Sequence, residues 1–338
     1  MGGCLYFIIG ETMTDRIISY REALIEAMNE EMARDQRVFT LGEDVGRYGG
    51  VMKVTKGLIE KYGEMRVIDT PISEEGFTGI GVGAALAGLR PIIEIMWIDF
   101  SALAMDAIVN QAAKMHYMFG GKARVPLVIR THGGAGLSYA AQHSQSLESW
   151  FVNIPGLITI MPSTPYDAKG LLKSSIRDDN PIIFIEDKSL YNTKGHVPDD
   201  EYLIPIGKAD VKRVGRDLTI VATSRMVMHA MSVAEKLAQE SIEIEVVDPR
   251  TLKPLDIETI AESVKKTHRL LVVNEGSRYC GYAAELVTQA YETVFDFLDA
   301  PITRITTEDV PIPYSKPLEE AVIPDEEKII SEVRKIIK

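Results

Sequence analysis

A chain of 338 residues is long enough for about two domains, each with its own core. Its hydrophobic content of 46% and charged content of 25% are ordinary for a globular protein in water. A net charge of −12 argues against nucleic acid as a partner, since phosphate contacts need clustered Lys and Arg, and suits a basic protein partner instead.

The two cysteines, Cys4 and Cys280, form neither a disulfide framework nor a metal-ligand pattern, so a reducing compartment is expected, most simply the cytoplasm. Residues 1–15 read as an extension. MGGCLYFIIGET holds five consecutive apolar positions and no basic lead-in, too little for a signal segment or a span, and Met13 is the expected start. No other stretch approaches the length of a membrane span, so no membrane residence is expected.

Ser19 to Glu22 fits a capping box, and Leu24, Ala27, Met28 and Met32 follow at helical spacing, predicting a helix to about Ala33. Val38 to Leu41 reads as a strand that delivers Gly42-Glu43-Asp44-Val45-Gly46 at its end. Sites in parallel sheets form at the C-terminal ends of strands, which makes Glu43 and Asp44 candidates against the plainer reading of a solvated acidic loop. Val54, Leu58, Ile59 and Tyr62 predict a helix ended near Gly63, and Arg66 to Asp69 a strand.

From Asp69 to Phe100 the chain places a Pro turn and two adjacent carboxylates, Glu74 and Glu75, before a run of small residues and an apolar strand, Pro91 to Trp97. The small residues at 79, 83, 84, 87 and 88 are expected to let a helix approach its neighbour closely. Gly79, Gly81 and Ala84, with Asp99 twenty residues beyond Gly79, also match a dinucleotide fingerprint. That fingerprint needs its glycines directly after the strand, and here about nine residues intervene, so the pattern reads as a decoy.

Ser101 to about Met118 is apolar on most faces and predicts one helix, deeply buried or at a subunit interface. Pro126 to Thr131 reads as a strand, followed by the glycine-rich loop His132 to Gly136 and by His143 in a polar cluster. An isolated histidine is ordinarily structural, but binding residues concentrate in loops of this kind. The strand Leu157 to Met161, the helix Asp167 to Ile176 and the strand Pro181 to Glu186 complete a parallel α/β sheet.

The periodicity fails after Lys188, so the expected division is a first domain at 16–190, a linker at 191–215 and a second domain at 216–338. The second half restarts the alternation of strand and helix. It shows almost no convergent titratable groups, with His229 and His268 read as solvated, and is taken as an assembly domain. The predicted fold class is α/β, with two doubly wound, mostly parallel sheets.

On chemistry alone, the candidates are Glu74 after its Pro turn, Glu43 and Asp44, Phe100 at a strand end and His143. No Cys/His metal spacing, nucleophile elbow or Walker loop is present in the sequence. An acid/base pair with an aromatic wall and no phosphate cradle suits an organic cofactor held by its flat ring while another chain holds its charged tail.

The segments LGEDVGRYGG, DTPISEEGFTGIGVGAALAGLRPI, AAQHSQS, TPYDAKGLLKSSIRDDNP and EDVPIPYSKPLE occur in this order. With them the chain resembles, over about residues 16–338, the beta subunit of the thiamine-diphosphate-dependent decarboxylating component of 2-oxo acid dehydrogenase complexes. MFGGKARVPLVIRT and EIMWIDF are most similar to acetoin dehydrogenase, then to pyruvate dehydrogenase, and less to the branched-chain enzyme.

The resemblance implies a transketolase-type pyrimidine-binding domain followed by a smaller transketolase C-terminal-like domain. It implies a heterotetramer of two alpha and two beta subunits that cleaves acetoin or decarboxylates a 2-oxo acid and passes the acyl group to lipoamide on an acyltransferase core. The G-D-G…N motif for Mg²⁺ and the diphosphate belongs to the alpha subunit, and no G-D-G occurs in this sequence.

By the same resemblance Glu74 is the glutamate that hydrogen-bonds the pyrimidine nitrogen, Phe100 its aromatic contact, Glu43 a neighbour of the cofactor and His143 the histidine near the substrate. Glu75 departs from the apolar residue of many family members and is taken as structural. Ser175, Asp178 and Asn180 fall on the family's potassium-binding turn. The alternatives are a non-catalytic assembly subunit, a branched-chain 2-oxo acid dehydrogenase beta subunit and, from the decoy glycines, a nicotinamide reductase.

Overall fold

The computed structural model describes residues 16–338, so the expectations for residues 1–15, Met13 among them, lie outside the described residues. The first helix forms where the sequence places its cap. The Ser19 hydroxyl accepts from the Glu22 amide at 3.2 Å, and Glu22 Oε2 accepts from the Ser19 amide at 2.7 Å. The helix Tyr20–Arg34 turns Tyr20, Leu24, Ala27, Met28 and Met32 inward and packs along the helix Pro165–Arg177. That second helix starts on Thr164, whose side chain accepts from the Asp167 amide, with Pro165 at its first position.

The strands are β1 (Ile17–Ser19), β2 (Val38–Gly42), β3 (Val67–Asp69), β4 (Arg90–Ile95), β5 (Val128–Gly133), β6 (Ile158–Ile160), β7 (Ile182–Asp187), β8 (Lys194–His196), β9 (Asp210–Arg213), β10 (Leu218–Ala222), β11 (Ile244–Asp248), β12 (Thr251–Lys253), β13 (Leu270–Ser277) and β14 (Thr303–Thr307). They form a seven-stranded sheet in the order β12-β6-β7-β5-β4-β2-β3, a five-stranded sheet in the order β14-β13-β10-β11-β9, and the pair β1-β8. Within the two large sheets only β12 against β6 and β9 against β11 run antiparallel. The architecture is the α/β, mostly parallel one that the sequence predicts.

Alternation along the strands sends successive side chains to opposite faces, and both faces are covered. Phe39, Leu41, Ile93, Ile95, Leu127 and Ile129 enter one apolar core, while Val38, Ile92, Val128, Ile182 and Phe184 enter another. The first of these cores does not stop at the first sheet. It also takes Val221, Val247, Leu270 and Val272 from the second, so the two halves are joined by a shared apolar interior.

Three expectations change. The stretch 191–215 is not an irregular connection: it holds β8, which pairs with β1, and β9, which edges the second sheet, and it buries Val197 and Ile204. Strands of three or four residues with distant partners leave no readable alternation. The segment after Trp97 is not one helix. It is a 3-10 helix (Ile98–Ala104), a π-helix (Ala107–Ala112) and an α-helix (Ala113–Met118), which bury Ile108 and Ala112 but leave Leu103, Tyr117 and Met118 exposed. The short helices Glu148–Val152 and Lys316–Val322 were not foreseen.

Candidate functional site

The C-terminal ends of β2, β4, β5 and β7 lie side by side. Gly42 is in register with both Asp69 and Glu94, and Gly133 with Asp187. A Cβ on Gly42 would sit 2.5 Å from the Glu94 carbonyl oxygen, so only glycine lets β2 end this close to β4. Asp69 Oδ1 accepts from the Gly46 amide at 2.6 Å, and Thr70 donates to the Gly42 carbonyl at 3.0 Å, fixing the acidic loop above the sheet.

Glu43 and Glu74 come together here. Glu74 is the first residue of the helix Glu74–Leu86 and is only 5% exposed. Among the described residues no hydrogen bond or ion pair reaches its carboxylate, which the positive end of the helix favours. Glu43 is half-buried, and its Oε1 is shielded without a hydrogen-bond partner. Burial, then the negative charges of Glu74 and Asp44, push the Glu43 carboxyl above the usual carboxylate range. Asp44 and Glu75 point to the exterior.

Phe100 and His143 form a second pair, with ring centroids 5.3 Å apart and near perpendicular. Trp97 completes this wall, 5.6 Å from His143 and 5.6 Å from Tyr139. Behind it lies Lys188, almost fully buried, whose ammonium donates to the His143 carbonyl and stands 5.1 Å from the Trp97 ring centroid. Burial pushes the Lys188 pKa down, against the pull of Asp99 and Asp187. Asp99 Oδ1 accepts from the Gln145 side chain at 2.8 Å and tethers the histidine loop.

The structure therefore places Glu43, Glu74, Phe100 and His143 at one edge of one sheet, on the segments that follow neighbouring strands, with the helix Glu74–Leu86 packed on the 3-10 helix that carries Phe100. Trp97, Tyr139 and Lys188 were missed in the sequence. An aromatic residue at a strand end, and a lysine directly after one, were the available signals.

The floor of the site is ionic. Arg130 is fully buried and donates to Glu186 at 2.7 and 2.8 Å and to Glu94 at 2.8 Å, and Tyr191 donates to the same Glu186. Burial works against the guanidinium charge, and Glu186 and Glu94 overcome it, holding the pKa above its ordinary value.

The glycine-rich loop does not present free amides. Ala135 donates to Glu275, while Gly136 and Ser138 donate to Glu319 at 2.8 and 2.9 Å. Its anion-binding concavity is filled by two carboxylates from the second half of the chain. The second half thus carries convergent charges after all: Arg225 joins Glu275 and the Ala135 carbonyl there, and Asp248, Lys212 and Arg250 gather around Asp167. These groups are scattered in sequence and meet only on folding. His268 is exposed as expected, but His229 is partly buried 3.7 Å from Glu326, and burial, then Arg225, lowers its pKa.

Of the two readings of the small residues, the decoy holds and the close packing changes. Gly79, Gly81 and Ala84 lie inside a helix rather than in a strand-to-helix turn, and Asp99 is engaged by Gln145, so no dinucleotide site forms from them. Only Gly81 faces a close neighbour, Ile93. Gly79, Gly83 and Gly88 meet none of the described residues, so close packing among these explains one glycine of the run.

At the turn after the helix Pro165–Arg177, Ser175 donates to the Leu171 carbonyl at 2.7 Å, and Asp178 Oδ1 accepts twice from Asn180. The carbonyls of Ile176 and Asp178 accept from Arg90, which supplies positive charge at this helix end. No cluster of metal-ligating side chains is found among the described residues.

Residues 16–194 match the family described as Transketolase, pyrimidine binding domain, and residues 207–329 match Transketolase, C-terminal domain. The chain is 48% identical over 328 residues to the acetoin:2,6-dichlorophenolindophenol oxidoreductase subunit beta of Bacillus subtilis, covering 94% of this chain and 96% of that one. It is also 48% identical over 333 residues to the mitochondrial pyruvate dehydrogenase E1 component subunit beta of Dictyostelium discoideum, covering 97% and 94%. The corresponding Rickettsia felis subunit is 48% identical over 319 residues, covering 94% and 98%. Among solved structures, a split-gene transketolase described as an inactive beta4 tetramer superposes with a TM-score of 0.77 at 21% identity, over 95% of this chain and 98% of that one, which speaks to the fold.

Proposed function

The chain belongs to the transketolase-like family of pyruvate and acetoin dehydrogenase beta subunits, and on that premise we propose that it is the beta subunit of a thiamine-diphosphate-dependent dehydrogenase component acting on acetoin or pyruvate. Such a component cleaves acetoin or decarboxylates the 2-oxo acid and passes the acyl group to lipoamide on an acyltransferase core. The branched-chain alternative is not favoured by the relatives found.

The observation that carries this reading is Glu74: a buried carboxylate with no partner among the described residues, beside Glu43, whose shielded oxygen also lacks one there. Thiamine diphosphate supplies a carbon acid that becomes a nucleophile and then an electron sink. Toward its pyrimidine, Glu74 is placed to share a proton with a ring nitrogen. Glu43 lies beside it, with its own proton held more tightly than in an ordinary carboxyl, and Phe100 offers an aromatic edge. His143, braced by Trp97, Phe100 and Lys188, is placed to donate to an oxygen that gains charge.

A diphosphate finds no free amide cradle in the glycine-rich loop, which accords with an alpha subunit that holds the diphosphate and its Mg²⁺. The open face of the helix Glu74–Leu86 and the exposed Leu103, Tyr117 and Met118 are apolar surface for that subunit in a tetramer of two alpha and two beta chains. The negative net charge suits a basic segment of the acyltransferase core. A potassium ion at Ser175, Asp178 and Asn180 fits less well. Their side chains are engaged locally and Arg90 already holds two carbonyls of the turn, so no step is assigned to it. No described helix is long and apolar enough to cross a membrane; the cytoplasm is the compartment we propose.

Reconstitution with the alpha subunit tests the reading. Glu74→Gln is expected to assemble and to lose roughly 100-fold or more in acyl transfer, as for removal of a positioned proton-transfer group, and full activity would remove Glu74 from the mechanism. Assaying acetoin against pyruvate assigns the substrate. A non-catalytic assembly subunit would instead leave thiamine diphosphate binding indifferent to Glu74→Ala and Phe100→Ala.

A further inference from the structure

The loop that links the glycine-rich segment to His143 is held in an unusual conformation from outside. Gly134 and Gly136 have φ of +91° and +95°, and two residues with side chains, Ser138 and Ala140, have φ of +57° and +61°. Non-glycine residues in this region persist where their surroundings impose it. Here the surroundings are three side chains of the second half. Glu319, fully buried, accepts from the Gly136 and Ser138 amides at 2.8 and 2.9 Å. Glu275 accepts from the Ala135 amide, and Arg225 donates to the Ala135 carbonyl at 2.9 Å while pairing with Glu275.

Directly beyond this clamp, Tyr139 packs edge-on against Trp97, and Trp97 against His143. Glu319 closes the segment EDVPIPYSKPLE, which the resemblance singled out and to which no role has been given so far.

We propose that Glu319, supported by the Arg225–Glu275 pair, is a positioning residue for the reaction. From the second half of the chain it sets the loop that places Tyr139 and His143 against Trp97. The proposal rests on the functional reading above. It replaces a purely assembly role for the second half with one in the geometry of the site. Glu319→Gln keeps the size of the side chain but offers one acceptor oxygen where two amides need a carboxylate. Arg225→Lys keeps the charge beside Glu275 and gives up the fork that also reaches Ala135.

The test uses the complex reconstituted with the alpha subunit, and this chain carrying Trp150→Phe so that Trp97 is its one tryptophan. Both variants are expected to assemble normally, to lower kcat about tenfold or more with KM within about twofold, since a small misplacement of a reacting group is costly, and to change the Trp97 emission. A kcat within about twofold of the parent, an unchanged Trp97 emission, or a loss of activity matched by loss of tetramer would each overturn the proposal. If the parent complex turns over neither acetoin nor pyruvate, the functional reading fails, and the role in catalysis with it. The Trp97 emission then decides the clamp alone.

Discussion

Arg130 is the residue on which the floor of the site depends. Its fork spans Glu186 and reaches Glu94, all three almost fully buried, on β5, β7 and β4. Arg130→Met would leave two carboxylates shielded from water with no cation between them. Breaking a buried ionic group in this way costs about 3–5 kcal/mol, so a large drop in melting temperature is expected, and an unchanged melting curve would contradict this account. Glu43 and Glu74 were legible in the sequence because each follows a strand or its turn directly. Asp99 was legible only as a spacing, and that spacing pointed the wrong way. Its partner Gln145 is distant in the chain, and no local pattern announces such a contact.

At the scale of the element, the helix Glu74–Leu86 has two different faces. Phe77, Val82 and Ala85 enter the shared core, and Gly81 makes room for Ile93. On the other side Gly79, Ile80 and Gly83 are exposed, and a Cβ on either glycine meets nothing. A glycine inside a helix costs roughly 0.5–1 kcal/mol relative to alanine, so two of them on a face that no other described residue covers fit a contact with a partner. Gly79→Leu and Gly83→Leu are expected to leave the melting temperature of the isolated chain unchanged or higher and to block assembly with the alpha subunit, as read by light scattering. Normal assembly of both with the alpha subunit would exclude this face as the contact. This helix was marked in the sequence by its small residues, without bounds, and not by periodicity. Periodicity failed over 98–118, where three kinds of helix follow one another and no single period holds.

In the whole molecule, the two sheets behave as one body because an apolar core runs between them and a buried polar cluster lies beside it. Asp248 on β11 accepts from Ser163 at 2.5 Å and from the Arg250 amide at 2.9 Å, next to Asp167, which pairs with Lys212 and Arg250. Burial pushes its pKa up to about 7, with Lys212 pulling it down and Asp167 raising it further. A carboxyl that holds its proton more tightly folded than unfolded stabilises the fold at low pH. That contribution is present below the unfolded value of about 4 and is lost as pH rises through the folded value. Relative to Asp248→Asn, the parent chain is therefore expected to lose melting temperature between about pH 4 and pH 7; parallel curves for the two would refute the assignment.

By itself the sequence determined the α/β class, most strand and helix positions, the family, and the post-strand segments that carry Glu43, Glu74, Phe100 and His143. All of these are encoded over short stretches, by alternation, capping and motif. Only the tertiary structure decided that β12 crosses to the first sheet, that the stretch 191–215 is packed, and that carboxylates from the second half fill the glycine-rich loop. These are pairings between residues far apart in the chain. Their energy comes from burial and from satisfied charge at the meeting point, which no local pattern of residues can express.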